Sequence, residues 1–243
     1  MGMNKPSISE MFEVASRNEQ AKGFRPYKGE QEELVDLIRG NLITFALGAA
    51  GTGKTHCVIG TAVEALKRGE VDKIVIVRPA VNAEEDYGYS KGWDEEKLSG
   101  YMQPVLDEFC KIIGAKKTAD FLDNGTIKVI PVAKMRGRTL NDAFVVIDEA
   151  QNNTIGQTEM LISRVGKNSR LVICGDAKQN DLEKVGKISG LMDAVERFTP
   201  FKGEGRVAVK TLKNVMRGPI AELAVQAYSE KSKATPTTPK PKS

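Results

Sequence analysis

The 243-residue chain has one histidine, His56, and three cysteines, Cys57, Cys110 and Cys174, with no C-x-x-C pair among them. A zinc centre needs several such ligands close together, and a disulfide framework needs paired cysteines, so neither organises this chain. No apolar run approaches the roughly 18 residues of a membrane span. The first residues, Met1–Pro6, lack the apolar core of a signal peptide, so the expected compartment is the cytoplasm, with no membrane partner. The net charge of +4 belongs to one end of the chain: Lys231, Lys233, Lys240 and Lys242 account for all of it, and residues 1–230 are formally neutral. Bulk charge therefore leaves no footprint for nucleic acid, and a local patch would have to supply one. There is no histidine pair and no convincing acidic cluster at a strand end beyond Asp148-Glu149, so no nuclease signature is expected.

What is present is concentrated in Gly48–Thr55, GAAGTGKT, which fits the phosphate-loop pattern G-x-x-x-x-G-K-[ST] at every fixed position. An apolar run, Leu42–Leu47, precedes it, and His56–Lys67 carries apolar residues at helical spacing after it. Strand, glycine loop and helix is the context the motif requires. The backbone N–H groups of Gly48, Ala49, Ala50, Gly51, Thr52 and Gly53 would turn toward phosphates at a helix N-terminus. Lys54 would neutralise β- and γ-phosphate charge, and Thr55 would hold Mg²⁺. His56 borders this nucleotide-binding set and reads as a helix-face residue rather than a catalytic one.

Strands and helices alternate along the chain. Helices are expected at Ser7–Ser16, Gly29–Arg39, Tyr101–Ile113, Thr118–Leu122, Ile155–Val165, Gly190–Phe198 and Pro219–Ser229. Strands are expected at Lys73–Val77, Thr126–Ile130, Ala143–Ile147, Arg170–Cys174 and Arg206–Leu212. This alternation predicts an α/β fold with a mostly parallel, doubly wound sheet, in which ligands bind at the carboxyl ends of the strands. The organisation divides into an N-terminal helix and linker (1–26), a phosphate-loop domain (27–230) and a Lys/Pro/Thr-rich tail (231–243) without large apolar side chains, expected to be disordered.

Two further strand ends carry chemistry. Ala143–Ile147 runs into Asp148-Glu149: Asp148 suits Mg²⁺ through water, and Glu149 suits orienting and deprotonating an attacking water. Arg170–Cys174 leads to Gly175-Asp176-Ala177-Lys178-Gln179, where the Gln179 amide could touch the γ-phosphate or the attacking water.

The segments GAAGTGKT, Ile76–Ala80 (IVRPA), Met135–Asn152 (MRGRTLNDAFVVIDEAQN) and Cys174–Leu182 (CGDAKQNDL) together resemble the PhoH-like ATPase family, over about Gln31 to Tyr228. The compact form is similar to phage-encoded members, and the family resembles the first motor domain of superfamily-one helicases. The resemblance implies a RecA-like P-loop NTPase fold, ATP and Mg²⁺ as cofactors, and a homo-oligomeric ring, a hexamer. It implies that Gln31 reads adenine, with Tyr27 or Phe24 stacking on the base. It also implies that Arg78 contacts single-stranded RNA or DNA, and that Arg217 senses phosphate or acts as a finger across an interface. Arg136 and Arg138 are open between nucleic acid, phosphate and a neighbouring subunit. Where the family usually reads Arg-His-Pro-Leu, this chain has Arg217-Gly218-Pro219-Ile220, which removes the histidine side chain.

Two functions stay open at this point. One is an ATPase motor on RNA or single-stranded nucleic acid, with helicase-like action. The other is a nucleotide-gated binding or assembly module with slow hydrolysis. Transfer to a small molecule is the weakest reading, because no acceptor-site motif is visible. Tyr87, Tyr89, Lys91 and Trp93 interleave aromatic and basic residues, but six surrounding acids favour a packing or subunit contact over a base-stacking surface. With one phosphate loop per chain, translocation would require a ring of copies.

Overall fold

Six parallel strands form a single sheet in the order β3-β2-β4-β5-β1-β6 in a computed structural model of the chain, which describes residues 21–79, 95–177, 179, 188–216, 220 and 223. Side chains of residues 95–101 are not among those described, and the predicted helix Ser7–Ser16, the stretch Tyr87–Trp93, Arg217, most of 219–229 and the tail 231–243 lie outside the described residues. The strands are β1 (Ile43–Gly48), β2 (Lys73–Arg78), β3 (Ile127–Pro131), β4 (Ala143–Ile147), β5 (Arg170–Gly175) and β6 (Val207–Leu212). The helices are α1 (Glu30–Gly40), α2 (Lys54–Lys67), α3 (Glu95–Ile113), α4 (Ala115–Asp123), α5 (Ile155–Ile162) and α6 (Gly190–Phe198). Every ladder in the sheet is parallel, which requires a crossover between each pair of strands.

A parallel sheet is covered on both faces, so its strands read as unbroken apolar runs. All five residues of β4 are buried. Alternate residues then serve different layers. Ile74, Ile76, Phe144 and Val146 pack with Leu34 and Ile38 of α1, Val58 and Ile59 of α2 and Phe109 of α3. Val75, Val77, Val145 and Ile147 pack with Leu161 of α5 and Leu191 and Ala194 of α6. The layers close on two cores with one sheet between them, and the fold is that of a RecA-like P-loop NTPase.

Local chemistry sets the helix starts. Thr154 caps α5, accepting from the Gln157 backbone at 3.3 Å while the Gln157 side chain accepts from the Thr154 backbone at 2.9 Å. Ser189 caps α6 by accepting from Leu191 N at 3.2 Å. Among the described residues the expected helices and strands form, with boundaries corrected: α4 begins at Ala115 instead of Thr118, and α5 ends at Ile162 instead of Val165. Helix α3 begins at Glu95, six residues before the expected Tyr101, and carries Pro104 inside it. Residues 132–135, outside the expected helices and strands, form a 3-10 turn with Val132 and Met135 buried.

Phe144 is fully buried in the middle of the sheet. Truncating it to alanine should lower unfolding free energy by about 3–5 kcal/mol, read as a shift of the urea midpoint without loss of cooperativity.

Candidate active site

The parallel register carries every chemical segment to one edge. Leu47 of β1 lies opposite Gly175 of β5, and Ile147 of β4 lies opposite Ile173 of β5. Strand β5 thus stands between the phosphate-loop strand and the acid strand. Past these carboxyl ends opens a cleft of about 880 Å³, lined by Ala50, Gly51, Gly53, Lys54, Thr55, Arg78, Asp148, Glu149 and Gln179 among others. Five of the predicted phosphate-loop residues therefore meet the acid pair and the β5 end in one place, while Gly48, Ala49 and Thr52 are not in the lining.

The loop's shape depends on two glycines. Gly51 has φ 82° and Gly53 φ 86°, in the left-handed region that side chains avoid. A Cβ on Gly53 would also collide with the Gln31 side-chain nitrogen. Lys54 Nζ donates back to the carbonyls of Gly48 and Ala49 at 2.6 and 2.9 Å, so the ammonium lies over the loop it belongs to. After β6 the chain turns onto the loop as well. Glu30 on α1 accepts from the backbone N–H groups of Lys213 and Asn214 at 2.9 and 3.2 Å, and Met216 N donates to Gly51 O at 2.8 Å.

The acid pair is held by its neighbours. Asp148 is buried, with Arg78 Nε 3.3 Å from its Oδ2; Arg78 Nη2 lies 3.9 Å from Glu149 Oε1. Burial pushes the Asp148 carboxyl above its ordinary range, with Glu149 adding to the rise and Arg78 opposing it. Glu149 sits in the left-handed region at φ 52°, ψ 37°, a conformation costing roughly 1–2 kcal/mol for a residue with a Cβ. Gln151, which sequence reasoning assigned no role, spans the gap to β5. Its Nε2 donates to Glu149 Oε2 at 2.6 Å and its Oε1 accepts from Asp176 N at 3.1 Å. Only its place two residues beyond Glu149 signalled it.

At the other end of the cleft Gln31 is 4% exposed, a buried side chain on α1 and not a solvated one. Its Nε2 donates to Thr52 O at 3.0 Å and its Oε1 accepts from Tyr27 N at 3.1 Å. Tyr27 is exposed and lines the cleft. Phe24, the other stacking candidate, packs into the core beside Gly60 and against the His56 ring. It is committed to packing, not to a ligand. His56 lines the cleft, bonded to Glu108 and to Arg25 O. Arg136 and Arg138 are exposed on the loop beyond β3, away from this lining. Arg78 is turned inward onto the acids rather than outward.

Among the described residues no group of three or more His, Cys, Asp or Glu side chains could hold a metal by itself. The donor set of Thr55 with buried, desolvated Asp148 fits Mg²⁺, which keeps waters and takes phosphate oxygens instead of a full protein cage. No helix among the described residues is long and apolar enough to cross a membrane.

The family described as "PhoH-like protein" matches residues 24–229. A "PhoH-like protein" of Bacillus subtilis is 38% identical over 220 residues, 90% of this chain and 68% of that protein. One from Synechocystis is 37% identical over 224 residues, 92% of this chain and 66% of that protein. The chain spans about two thirds of the length of both relatives. Among solved structures, the Pif1 helicase from Candida albicans aligns at a TM-score of 0.46 and 14% identity, over 85% of this chain and 44% of that one.

The Arg78–Asp148 pair yields a pH-dependent expectation. Removing the cation in Arg78→Met leaves a buried carboxylate uncompensated, at a cost of about 3–5 kcal/mol near neutral pH. Because the folded Asp148 pKa lies above its unfolded value and rises further in the variant, the folded state binds the extra proton. The deficit should therefore shrink as pH falls. Urea unfolding of both proteins from pH 7.5 to pH 5 checks the sign.

Proposed function

The chain belongs to the PhoH-like protein family, and from that premise we propose that it is a Mg²⁺-dependent ATPase that works as a ring of copies on RNA or single-stranded nucleic acid. The observation that carries the hydrolytic reading is the meeting of Lys54, Thr55, Asp148 and Glu149 in one cleft at the ends of β1 and β4. The loop N–H groups and the α2 N-terminus receive the phosphates. Lys54 exchanges its two loop carbonyls for β- and γ-phosphate oxygens. Thr55 and Asp148 hold Mg²⁺, which when bound neutralises charge on those oxygens. Glu149, aimed by Gln151, orients a water and takes its proton as the water oxygen bonds to the γ-phosphorus. The bond to the β–γ bridging oxygen breaks and ADP leaves with that electron pair. Gln179 and the end of β5 sense the change.

At the base end, Gln31 retains one Nε2 hydrogen and one Oε1 lone pair beyond its two backbone contacts. That is the complement of an adenine edge. Tyr27, exposed at the cleft, is the stacking residue. Arg136 and Arg138, exposed and basic, are the nucleic-acid candidates this reading keeps. Arg78 serves as counter-ion to the acids. Arg217 lies outside the described residues, but Met216 directly before it is bonded to this chain's own Gly51.

Lys54→Ala is expected to lose nucleotide affinity, and Glu149→Gln to bind ATP while losing turnover by on the order of 10²-fold or more. Wild type should turn over ATP faster than GTP, with the preference narrowed in Gln31→Ala. An undiminished rate in Glu149→Gln would remove that residue from the mechanism.

The ring is tested by mass measurement with nucleotide, beside ATPase rates with and without single-stranded RNA and DNA. A monomer at full rate, unaffected by either strand, would leave a nucleotide-gated module as the better account. In mixtures of Lys54→Ala with Arg217→Ala, activity should partly return if the arginine is supplied across the interface. Recovery in assemblies that exchange subunits would assign the arginine to the neighbouring copy, as fingers across interfaces act.

A further inference from the structure

Four cations, Arg136, Arg138, Arg164 and Lys167, come from two loops that the fold fastens together. Arg136 and Arg138 sit between β3 and β4, and Arg164 and Lys167 sit between α5 and β5. Leu140 N donates to Arg164 O at 2.8 Å, Gly166 N to Leu140 O at 2.7 Å and Asp142 N to Lys167 O at 2.9 Å. Asn141 Oδ1 accepts from Lys167 N at 3.0 Å. Gly166 permits this approach, because a Cβ there would overlap Asn141 Oδ1 and come within 3.0 Å of the Thr139 methyl. The cations of one loop are thereby fixed beside those of the other.

Among the described residues, none of the four side chains has an ion-pair or hydrogen-bond partner. Other arginines of this neutral surface are matched: Arg39 by Glu64 at 2.6 Å, Arg197 by Asp193 at 2.7 Å and Arg170 by Glu70 at 3.5 Å. Arg136, Arg138 and Lys167 are exposed, while Arg164 is half-buried with its Nε buried and unpartnered. The nearby acids face elsewhere. Asp142 accepts from Asn168 Nδ2 at 3.0 Å and lines a separate groove with Glu70 and Asp72. Glu159 of α5 stabilises the charge of Arg197 on α6.

Guanidinium groups without carboxylate partners suit phosphate oxygens, which they meet with two parallel donors. Neither loop, residues 134–142 or 163–169, holds an aromatic side chain to stack on a base. Their two amides, Asn141 and Asn168, are already bonded within the loops. We propose that the four cations form one ridge that grips the phosphates of single-stranded nucleic acid without reading its bases. The proposal rests on the nucleic-acid part of the proposed function and adds Arg164 and Lys167 to it. These two lie at the amino ends of β4 and β5, the edge away from the nucleotide cleft, so strand and nucleotide do not compete for space. Strand β4 and helix α5 join the two places: β4 leads from Asp142 to Asp148, and α5 from Thr154 to Arg164.

The test measures anisotropy of dye-labelled oligo-dT, oligo-rU and mixed-sequence strands across a salt series. It uses the full chain with Lys231, Lys233, Lys240 and Lys242 each changed to Gln, so that the tail adds no phosphate contacts. With four phosphates neutralised, log affinity should fall against log salt with a slope of about −2.8. Arg164→Gln with Lys167→Gln, and Arg136→Gln with Arg138→Gln, should each bring the slope to about −1.4 and weaken all three strands alike. Arg164→Lys keeps the charge and should keep most of the slope, which separates loss of charge from loss of fold. Lys116→Gln with Lys117→Gln removes the same charge from α4 and should change neither slope nor affinity. If the parent binds strands and the ridge variants bind as it does, or the α4 variant falls as far, the ridge is wrong and the nucleic-acid reading stands. A sequence preference lost with the ridge overturns backbone-only recognition. Equal binding of poly-glutamate through the same four residues assigns the ridge to acidic protein instead. A parent that binds neither RNA nor DNA at low salt overturns the nucleic-acid reading and the ridge with it.

Discussion

The parallel pairing of β5 with β1 on one side and β4 on the other is the constraint on which the site depends. It sets the width of one strand between the phosphate loop and the acid pair, and it turns both strand ends to the same edge. Gly175, at the end of β5, makes the span passable. A Cβ there would come within 2.8 Å of Gln151 Oε1 and 2.5 Å of a Leu191 methyl. The missing side chain is what lets Gln151 reach from Glu149 to the β5 backbone.

The sheet also holds the site against its own electrostatics. A carboxylate pushed up by burial, a glutamate in the left-handed region and two acids in sequence are each unfavourable in isolation. They persist because β4 is buried along its whole length and its end cannot relax. Arg78, from the neighbouring β2, reduces the charge conflict without removing it. A site with this residual conflict gains when cationic charge is added beside Asp148, which is the condition a nucleotide site with Mg²⁺ meets.

Much of this was legible in the sequence, for a physical reason. Apolar strands ending in GAAGTGKT, Asp148-Glu149 and Gly175-Asp176 identify themselves by run length and terminal residue, and parallel topology then brings them together without further information. What stayed illegible depends on single tertiary partners far away in the chain. Gln31 is buried because it meets Thr52, 21 residues on. His56 is fixed, and its pKa raised, because it meets Glu108, 52 residues on. Phe24 sat in a polar stretch read as linker, and its role comes from the open face at Gly60, where any Cβ would occupy the ring's place. Helix α3 was trimmed in the reading because acids and glycines outweighed periodicity at its start. No local rule finds such contacts, since each is one pair and not a repeating pattern.

The two ends of the cleft are built by different means, and this bears on where control can reside. The phosphate end is made of backbone fixed by β1, β5 and β6, including the Met216 and Glu30 contacts after β6. Opening it would mean breaking the sheet. The base end is an irregular strap, residues 22–27, held by a few polar bonds and one aromatic ring, and segments of that kind open at a small fraction of the global unfolding free energy. A change at His56, Glu108 or Gln31 can therefore loosen the base end while the phosphate end stays formed. Under the proposed function, binding of the triphosphate and selection of the base would then be separable, the second tuned by side chains that never touch a phosphate.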